Sequence, residues 1–260
     1  MTTEPLFSLR DVSFGFADRA VLQQVSFDLC AGERVALMGA NGAGKTTLLH
    51  LLVGLHRVSA GRILAYGQAC QKEQDFRKVR LRTGLLFQDP DDQLFCPTVL
   101  EDLAFGPLNQ GKTQQEALAI CQQTLATLGL EGFAHRVTHK LSGGEKRLIS
   151  LATVLAMQPD VLLLDEPTNG LDEKTERRLI EHLEALPQAM LFVSHDRRFV
   201  ERLASRAVLL QDGHLQDALL HAHPHSHTHS HLHVHAVDEA QSRHEHGGHP
   251  PEHFDHQHGE

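Results

Sequence analysis

The sequence predicts an α/β fold with a mostly parallel central sheet, an antiparallel β lead-in and a helical subdomain. Three observations predict it. The apolar run Arg34-Val35-Ala36-Leu37-Met38 enters a glycine-rich loop that opens a helix over Thr47–Val53. The runs Thr83–Phe87, Val161–Leu164 and Ala189–Val193 are almost continuously apolar, as strands buried on both faces are. Ahead of them, Leu6–Phe16 and Val21–Leu29 alternate as antiparallel strands do.

In the lead-in, Ala17-Asp18-Arg19-Ala20 forms the turn. Phe14 and Phe16 fall on one side of the first strand. Either both belong to a core, or one offers a flat face to an adenine ring.

The loop that follows, Gly39-Ala40-Asn41-Gly42-Ala43-Gly44-Lys45-Thr46-Thr47, carries G-x-x-x-x-G-K-[ST] between a strand and a helix, the context of a phosphate-binding P-loop. Gly39, Gly42 and Gly44 allow the backbone to turn its N–H groups toward one point. The helix N-terminus adds partial positive charge. Lys45 supplies a full charge for β- and γ-phosphates, and the Thr46 hydroxyl can ligate Mg²⁺. Asn41, Ala43 and Thr47 complete the candidate nucleotide-binding set.

Gly61–Gly67 predicts a short strand between glycines. Thr83–Phe87 predicts a buried one that ends in the polar loop Gln88-Asp89-Pro90-Asp91-Asp92-Gln93. Sites in open parallel sheets gather at the C-terminal ends of strands, which places Gln88 among the site candidates. Residues 98–157 are mostly helical by periodicity. Ala117, Ile120, Cys121, Leu125 and Leu128 recur at helical spacing within Thr113–Leu128. Ser142 with Glu145 is a capping box opening a second helix of this region, and Ser142-Gly143-Gly144 at that terminus is also an anion-site candidate.

Asp165 and Glu166 end an apolar strand. They are either two turn acids or a Walker-B pair, with Asp165 holding the Mg²⁺ site and Glu166 deprotonating the attacking water. His195 follows the strand Ala189–Val193, at the same sheet edge. Arg206–Gln211, Asp212-Gly213 and His214-Leu215 form a closing hairpin.

Composition bounds the function. At 260 residues the chain suits one domain and a small appendage. Residues 221–260 hold fourteen of the 21 histidines, one basic residue and six acidic ones, hence five of the nine net negative charges. The mildly acidic remainder lacks the basic face that nucleic-acid binding needs. The four cysteines form no C-x-x-C pair, which favours free thiols in a reducing compartment. Met1–Pro5 has no signal-peptide pattern, and no run is apolar enough to span a bilayer.

With these residues in hand, the chain resembles the ATP-binding subunit of an ABC transporter over residues 6–217. Its motifs stand in order: Phe16 at the adenine-stacking aromatic, Walker A at 39–46, Gln88 as the Q-loop, Leu141–Glu145 as the signature, Walker B at 161–166, Leu171-Asp172 as the D-loop and His195 as the switch. The resemblance implies the ABC ATPase fold of P-loop NTPases. It implies ATP and Mg²⁺ as ligands, with Thr46, Gln88 and Asp165 at the Mg²⁺, and Glu166, His195, Gln88 and Lys45 as the catalytic set. It further implies a head-to-tail dimer, as a homodimer or with a paralogous ATPase. Ser142, Gly143 and Gly144 of each copy would then meet the ATP of the other. Glu145 departs from the usual Gln, and Phe16 from the usual Tyr.

Phe87–Phe95 with Thr98-Val99 and Asp102–Pro107 further resembles the energy-coupling-factor importers. That resemblance implies a transmembrane coupling protein and a substrate-binding membrane protein as partners, and a peripheral place on the cytoplasmic face of the membrane. Leu94, Phe95 and Phe105 are either core or apolar anchors for the coupling protein.

His221, His223, His225, His227, His229, His231, His233 and His235 alternate with other residues. A purification tag is normally uninterrupted, and this tract is not. With little apolar surface it is expected to be disordered without metal. Histidine-rich tracts bind transition metals, here Ni²⁺, Co²⁺ or Zn²⁺. The expected division is thus an ATPase domain at 1–220, with a helical subdomain at about 89–157, and a metal-binding tail at 221–260. The function expected is the ATPase of a nickel or cobalt importer. The alternatives are the ATPase of a zinc ABC transporter, that of a vitamin-specific energy-coupling-factor importer, a soluble ABC ATPase without transport, and a metal store.

Overall fold

The computed structural model describes residues 4–17, 19–223 and 231–236. The chain opens with β1 (Phe7–Phe16) and β2 (Arg19–Leu29), then β3 (Arg34–Met38) and α1 (Lys45–Leu52). Next come β4 (Ala60–Ala65), β5 (Gln68–Cys70), α2 (Glu73–Arg80) and β6 (Thr83–Leu86). Three helices follow: α3 (Val99–Asn109), α4 (Gln114–Thr127) and α5 (Gly143–Ala156). The last part is β7 (Val161–Asp165), α6 (Glu173–Ala185), β8 (Ala189–Val193), α7 (Arg197–Leu203), β9 (Arg206–Gln211), β10 (His214–His223) and β11 (His231–Ala236).

Two sheets result. The smaller is antiparallel, in the order β2-β1-β4-β5, and contains the lead-in. The larger runs β11-β10-β9-β3-β8-β7-β6. From β9 to β6 its neighbours are parallel, and β10 and β11 add an antiparallel margin. Every residue of β7 and of β8 is buried. Alternation along these strands divides the core in two. Val161, Leu163 and Leu191 pack on the side of α1 and the small sheet. Leu162, Leu164 and Phe192 pack with α3, α5, α6 and α7. Successive residues of a strand face opposite ways, so one buried strand serves both cores.

The helical region is built on repeated caps. Thr98 with Glu101, Thr113 with Glu116 and Ser142 with Glu145 each make a reciprocal capping box. Each satisfies two N–H groups that a helix start leaves orphaned.

Several elements differ from expectation. The strand expected at Gly61–Gly67 joins the small sheet, because Gly61 makes a close approach to β1: a Cβ there would lie 2.3 Å from the Asp11 carbonyl oxygen. β5, α2, α6 and α7 were not expected from the sequence. The histidine tract differs most. The backbone does not leave the sheet at residue 220; β10 continues to His223 and pairs with β11, Ala222 opposite Leu232 and Leu220 opposite Val234. The expectation of disorder rested on the small apolar surface of the tract; the backbone pairing of β10 with β11 differs from it at residues 221–223 and 231–236. Ala218, earlier on β10, belongs to the second core. His225, His227 and His229 lie outside the described residues.

Candidate active site

β3 ends at Met38 and the chain turns through the glycine loop into α1. Gly39 has φ +147°, and a Cβ there would lie 2.4 Å from the Leu210 carbonyl oxygen on β9. Gly44 has φ +106° and a Cβ there would lie 2.6 Å from Val21. The loop therefore packs against β9 and β2 only because these residues lack side chains. No side chain caps the start of α1 and no acid occupies its first turn. Its orphaned N–H groups are thus available to an anion. Lys45 is 8% exposed, and its ammonium donates to the carbonyls of Gly39 at 2.8 Å and Ala40 at 3.0 Å. An ammonium carries three donors, so the loop leaves one over. Burial holds Lys45 below the usual ammonium range, while Glu166 and Asp165 act in the other direction.

The acids sit across from this loop. Asp165, 2% exposed, ends β7. Glu166 follows with φ +46°, a left-handed conformation that costs a non-glycine residue roughly 1–2 kcal/mol. Its N–H donates to the Val193 carbonyl at 3.0 Å, which ties it to the end of β8. His195 lies just past that end. Its main-chain N–H donates to Glu166 Oε2 at 3.3 Å. Its Nε2 lies 3.1 Å from Asn41 Oδ1 and 3.3 Å from Glu166 Oε1. Two oxygen acceptors around one ring nitrogen put the proton on Nε2. His195 so bridges the phosphate loop and Glu166.

The third wall is the loop after β6. Arg147 on α5, 3% exposed, donates to the carbonyl of Phe87 at 2.6 Å and to that of Gln88. Gln93 Oε1 accepts from the N–H of Phe87 at 3.2 Å, while its Nε2 donates to Ser150 O at 2.7 Å and Thr153 Oγ1 at 2.8 Å. Lys146 pairs with Asp91 at 2.5 Å. Residues 87–93 are therefore strapped to α5. Sequence reading missed Arg147. Its signal was a charge one turn before Leu151, on the face of the helix that is otherwise apolar. His50 was missed too. It stands one turn past Thr46 and shares a cleft wall with Gln88 and Asp165. Burial lowers its pKa, His56 lowers it further, and Asp165 opposes them.

These elements enclose one cleft of about 750 Å³. Phe16, Asn41, Gly42, Gly44, Lys45, Thr46, Thr47, Gln88, Asp165, Glu166 and His195 all line it. Gly39 contributes its carbonyl to Lys45 from beneath, and Ala43 lines the adjoining cleft. Phe14 is buried in the first core, whereas Phe16 is 51% exposed and packs edge-on against it. Ser142, Gly143 and Gly144 do not line this cleft. They open α5 elsewhere on the surface, where Ser142 Oγ accepts from Glu145 N at 3.3 Å and Gly144 sits beside Leu171 and Thr175. Of the tail histidines, His221, His223, His231, His233 and His235 lie on β10 and β11 at the margin of the sheet, apart from the cleft.

A phosphate loop on β3, acids at the end of β7 and a histidine after β8 are found together with a family-model match to ABC transporter over residues 22–169. The chain belongs to the ABC transporter ATP-binding family. This ABC ATPase is 57% identical over 220 residues to a Brucella suis protein named for ABC transporter ATP binding, covering 85% of this chain and 92% of that one. It is 39% identical to the energy-coupling factor transporter ATP-binding protein EcfA of Methanothermobacter thermautotrophicus, covering 81% and 69%. The structure of CbiO1 from Clostridium perfringens, described as part of the ABC transporter complex CbiONQ, superposes with a TM-score of 0.73 at 30% identity, covering 81% and 86%. ABC ATPases hydrolyse ATP with Mg²⁺. The residues present fit both: an uncapped helix start and a spare ammonium donor suit phosphates, and the Asp165 carboxylate and Thr46 hydroxyl, which line the same cleft, suit a hard cation.

Proposed function

We propose that this ABC ATPase energises an energy-coupling-factor importer of nickel or cobalt ions, working as a homodimer on the cytoplasmic face of the membrane. Among the described residues no helix is long and apolar enough to cross a membrane, so the reading requires a docking surface. One observation carries it. Phe95 and Phe105 are 65% and 50% exposed and stack edge to face at 4.9 Å. They border a largely apolar groove of about 340 Å³ that also reaches Phe87 and Gln93. Exposed aromatics beside a groove suit an apolar helix of a membrane partner. Leu94 packs against the second core instead and is not an anchor. The likeness to EcfA and CbiO1 supports the transporter class, and the histidine tract supports the metal.

In this reading Phe16 stacks on adenine, and the loop N–H groups with Lys45 hold the β- and γ-phosphates. Thr46, Gln88 and Asp165 hold Mg²⁺. The metal ion supplies charge neutralisation at the phosphates. Glu166 takes the proton of the water whose oxygen bonds to the γ-phosphorus as the bond to the β–γ bridging oxygen breaks. His195 keeps Glu166 and Asn41 in register through its Nε2–H. Ser142, Gly143 and Gly144 meet the γ-phosphate held by the second copy.

The test is uptake of labelled Ni²⁺, Co²⁺ and Zn²⁺ in cells carrying the natural chain or Glu166→Gln. Loss of one ion's uptake in the variant names the cargo. Unchanged uptake of all three overturns the metal-import reading and leaves vitamin import or a role outside transport.

A further inference from the structure

The start of α5 carries an acid. The N–H of Ser142 and its hydroxyl both donate to Glu145 Oε2, at 2.8 and 3.0 Å. That capping box steadies the helix, and it also fixes a negative charge in the first turn. The carboxyl is held below its usual range, first by the Ser142 N–H and then by the Ser142 hydroxyl and Arg136, so it is ionised at neutral pH. A helix start offers an approaching anion about half an elementary positive charge. A full carboxylate charge in the first turn exceeds that, and a phosphate arriving there would be repelled.

The other oxygen of this carboxylate, Oε1, accepts from Arg136 Nη1 at 2.9 Å. Arg136 is held in place independently of that bond. Its main-chain N–H donates to Phe133 O at 2.8 Å, its carbonyl accepts from Val99 N at 3.1 Å, and its guanidinium lies over the Phe133 ring at 3.7 Å. Two other charges nearby are engaged elsewhere. Lys146 pairs with Asp91. Asp172, next to the Leu171 that Gly144 faces, accepts from the N–H groups of Lys174 and Thr175 at the start of α6.

We infer that Arg136 is a positioning residue for ATP: it neutralises Glu145, so that the start of α5 can receive the γ-phosphate held by a second copy of this chain. This rests on the reading in which Ser142, Gly143 and Gly144 meet that phosphate. An exposed ion pair adds little to stability. Its weight here lies in the repulsion it removes from the path of the anion, and that repulsion is screened by salt.

The experiment measures ATP-driven dimerisation of the full-length chain with Mg²⁺ by sedimentation velocity, in a Glu166→Gln parent that retains its ATP. Arg136→Met keeps a stem over Phe133 and removes the charge. It is expected to weaken the dimer about tenfold at about 0.1 M salt, and less than about threefold at about 0.5 M. Arg136→Gln, a second uncharged variant, is held to the same outcomes. Arg136→Lys keeps the charge and should stay within about threefold of the parent. Glu145→Gln keeps an acceptor for the Ser142 N–H and removes the negative charge. Added to that variant, Arg136→Met should change the dimer by less than about twofold. A loss as large with Glu145→Gln present as without it overturns the proposal, because Arg136 then acts without Glu145. A dimer of parental strength in both uncharged variants overturns it too. A parent that stays monomeric with ATP overturns the two-copy reading and the proposal with it, and since that result is seen before any change at residue 136, the two failures are distinct. Unchanged urea midpoints check that the variants fold.

Discussion

Arg147 donates a hydrogen bond to the main-chain oxygen of Gln88, so the helix that begins at Ser142 grips the loop that contributes Gln88 to the cleft. The same guanidinium holds Phe87, and its Nε has no partner among the described residues. Burial alone pulls this group below its usual range, and Asp89, Asp165 and Glu166 offset that in part. The planar fork sends a separate nitrogen to each carbonyl, Nη1 to Phe87 and Nη2 to Gln88, a spacing that a single ammonium nitrogen does not reproduce. Arg147→Lys should therefore keep the fold and lower kcat by about tenfold while KM for ATP stays nearly constant. Arg147→Met should in addition cost about 2–4 kcal/mol, seen as a lower urea midpoint, because two buried carbonyls lose their donors. An Arg147→Lys enzyme with natural turnover would show that the grip has no catalytic consequence.

Glu166→Gln should lower ATP hydrolysis by roughly 10²-fold or more while ATP still binds. Steady-state turnover together with nucleotide retention checks both halves. Turnover near that of the natural chain would remove Glu166 as the base.

Phe16 and Phe14 should separate function from stability. Phe16→Ala is expected to raise KM for ATP several-fold, the effect of losing about 1 kcal/mol of stacking on a base, with stability changed by less than about 0.5 kcal/mol. Phe14→Ala should do the reverse, lowering stability by about 3 kcal/mol with little effect on KM in the folded fraction. Equal effects of the two on KM would deny Phe16 its contact with adenine.

Acid should loosen the helix caps. The Glu145 carboxylate sits below the usual range, first because the Ser142 N–H donates to it, with the Ser142 hydroxyl and Arg136 adding to that. Thr113 does the same for Glu116. A folded pKa held below the unfolded one gives stability that is full above the ordinary value of about 4.3 and is lost as pH falls through the lowered value. Burial raises Asp102, which contributes in the opposite sense. The melting temperature is expected to fall as pH drops below about 4.3, and to fall less in Glu116→Gln and Glu145→Gln. An unchanged acid slope in both variants would free the caps of that role.

The chemistry of the cleft was legible because it is local. Strand, loop and helix around Lys45 are contiguous, Asp165 and Glu166 end one buried strand, and Ser142 with Glu145 announces its own helix. What was not legible depends on pairings between distant segments. Gly61 sits in an apolar run that suits either sheet, and only its approach to Asp11 decides. Arg147 acts through the carbonyls of Phe87 and Gln88, which no periodicity reveals. Phe14 and Phe16 share one side of a strand, but Phe16 is the exposed last residue of β1, so the first meets the core and the second the cleft. The helix over Glu173–Ala185 did carry a signal, the Asp172 cap followed by Leu179, Ile180 and Leu183.

The continuity of β10 across residue 220 bears on how the protein can be shortened. A cut at the point where composition changes would sever a strand in mid-course and strip away its outer neighbour. The stump would present a row of unpaired N–H and C=O groups, with Ala218 behind them, as a template for joining another chain. Such a protein is expected to self-associate even with its ATPase machinery untouched. A version ending after Ala236 keeps the outer strand in place, and comparing the two by light scattering would separate the loss of metal ligands from the loss of a protective border.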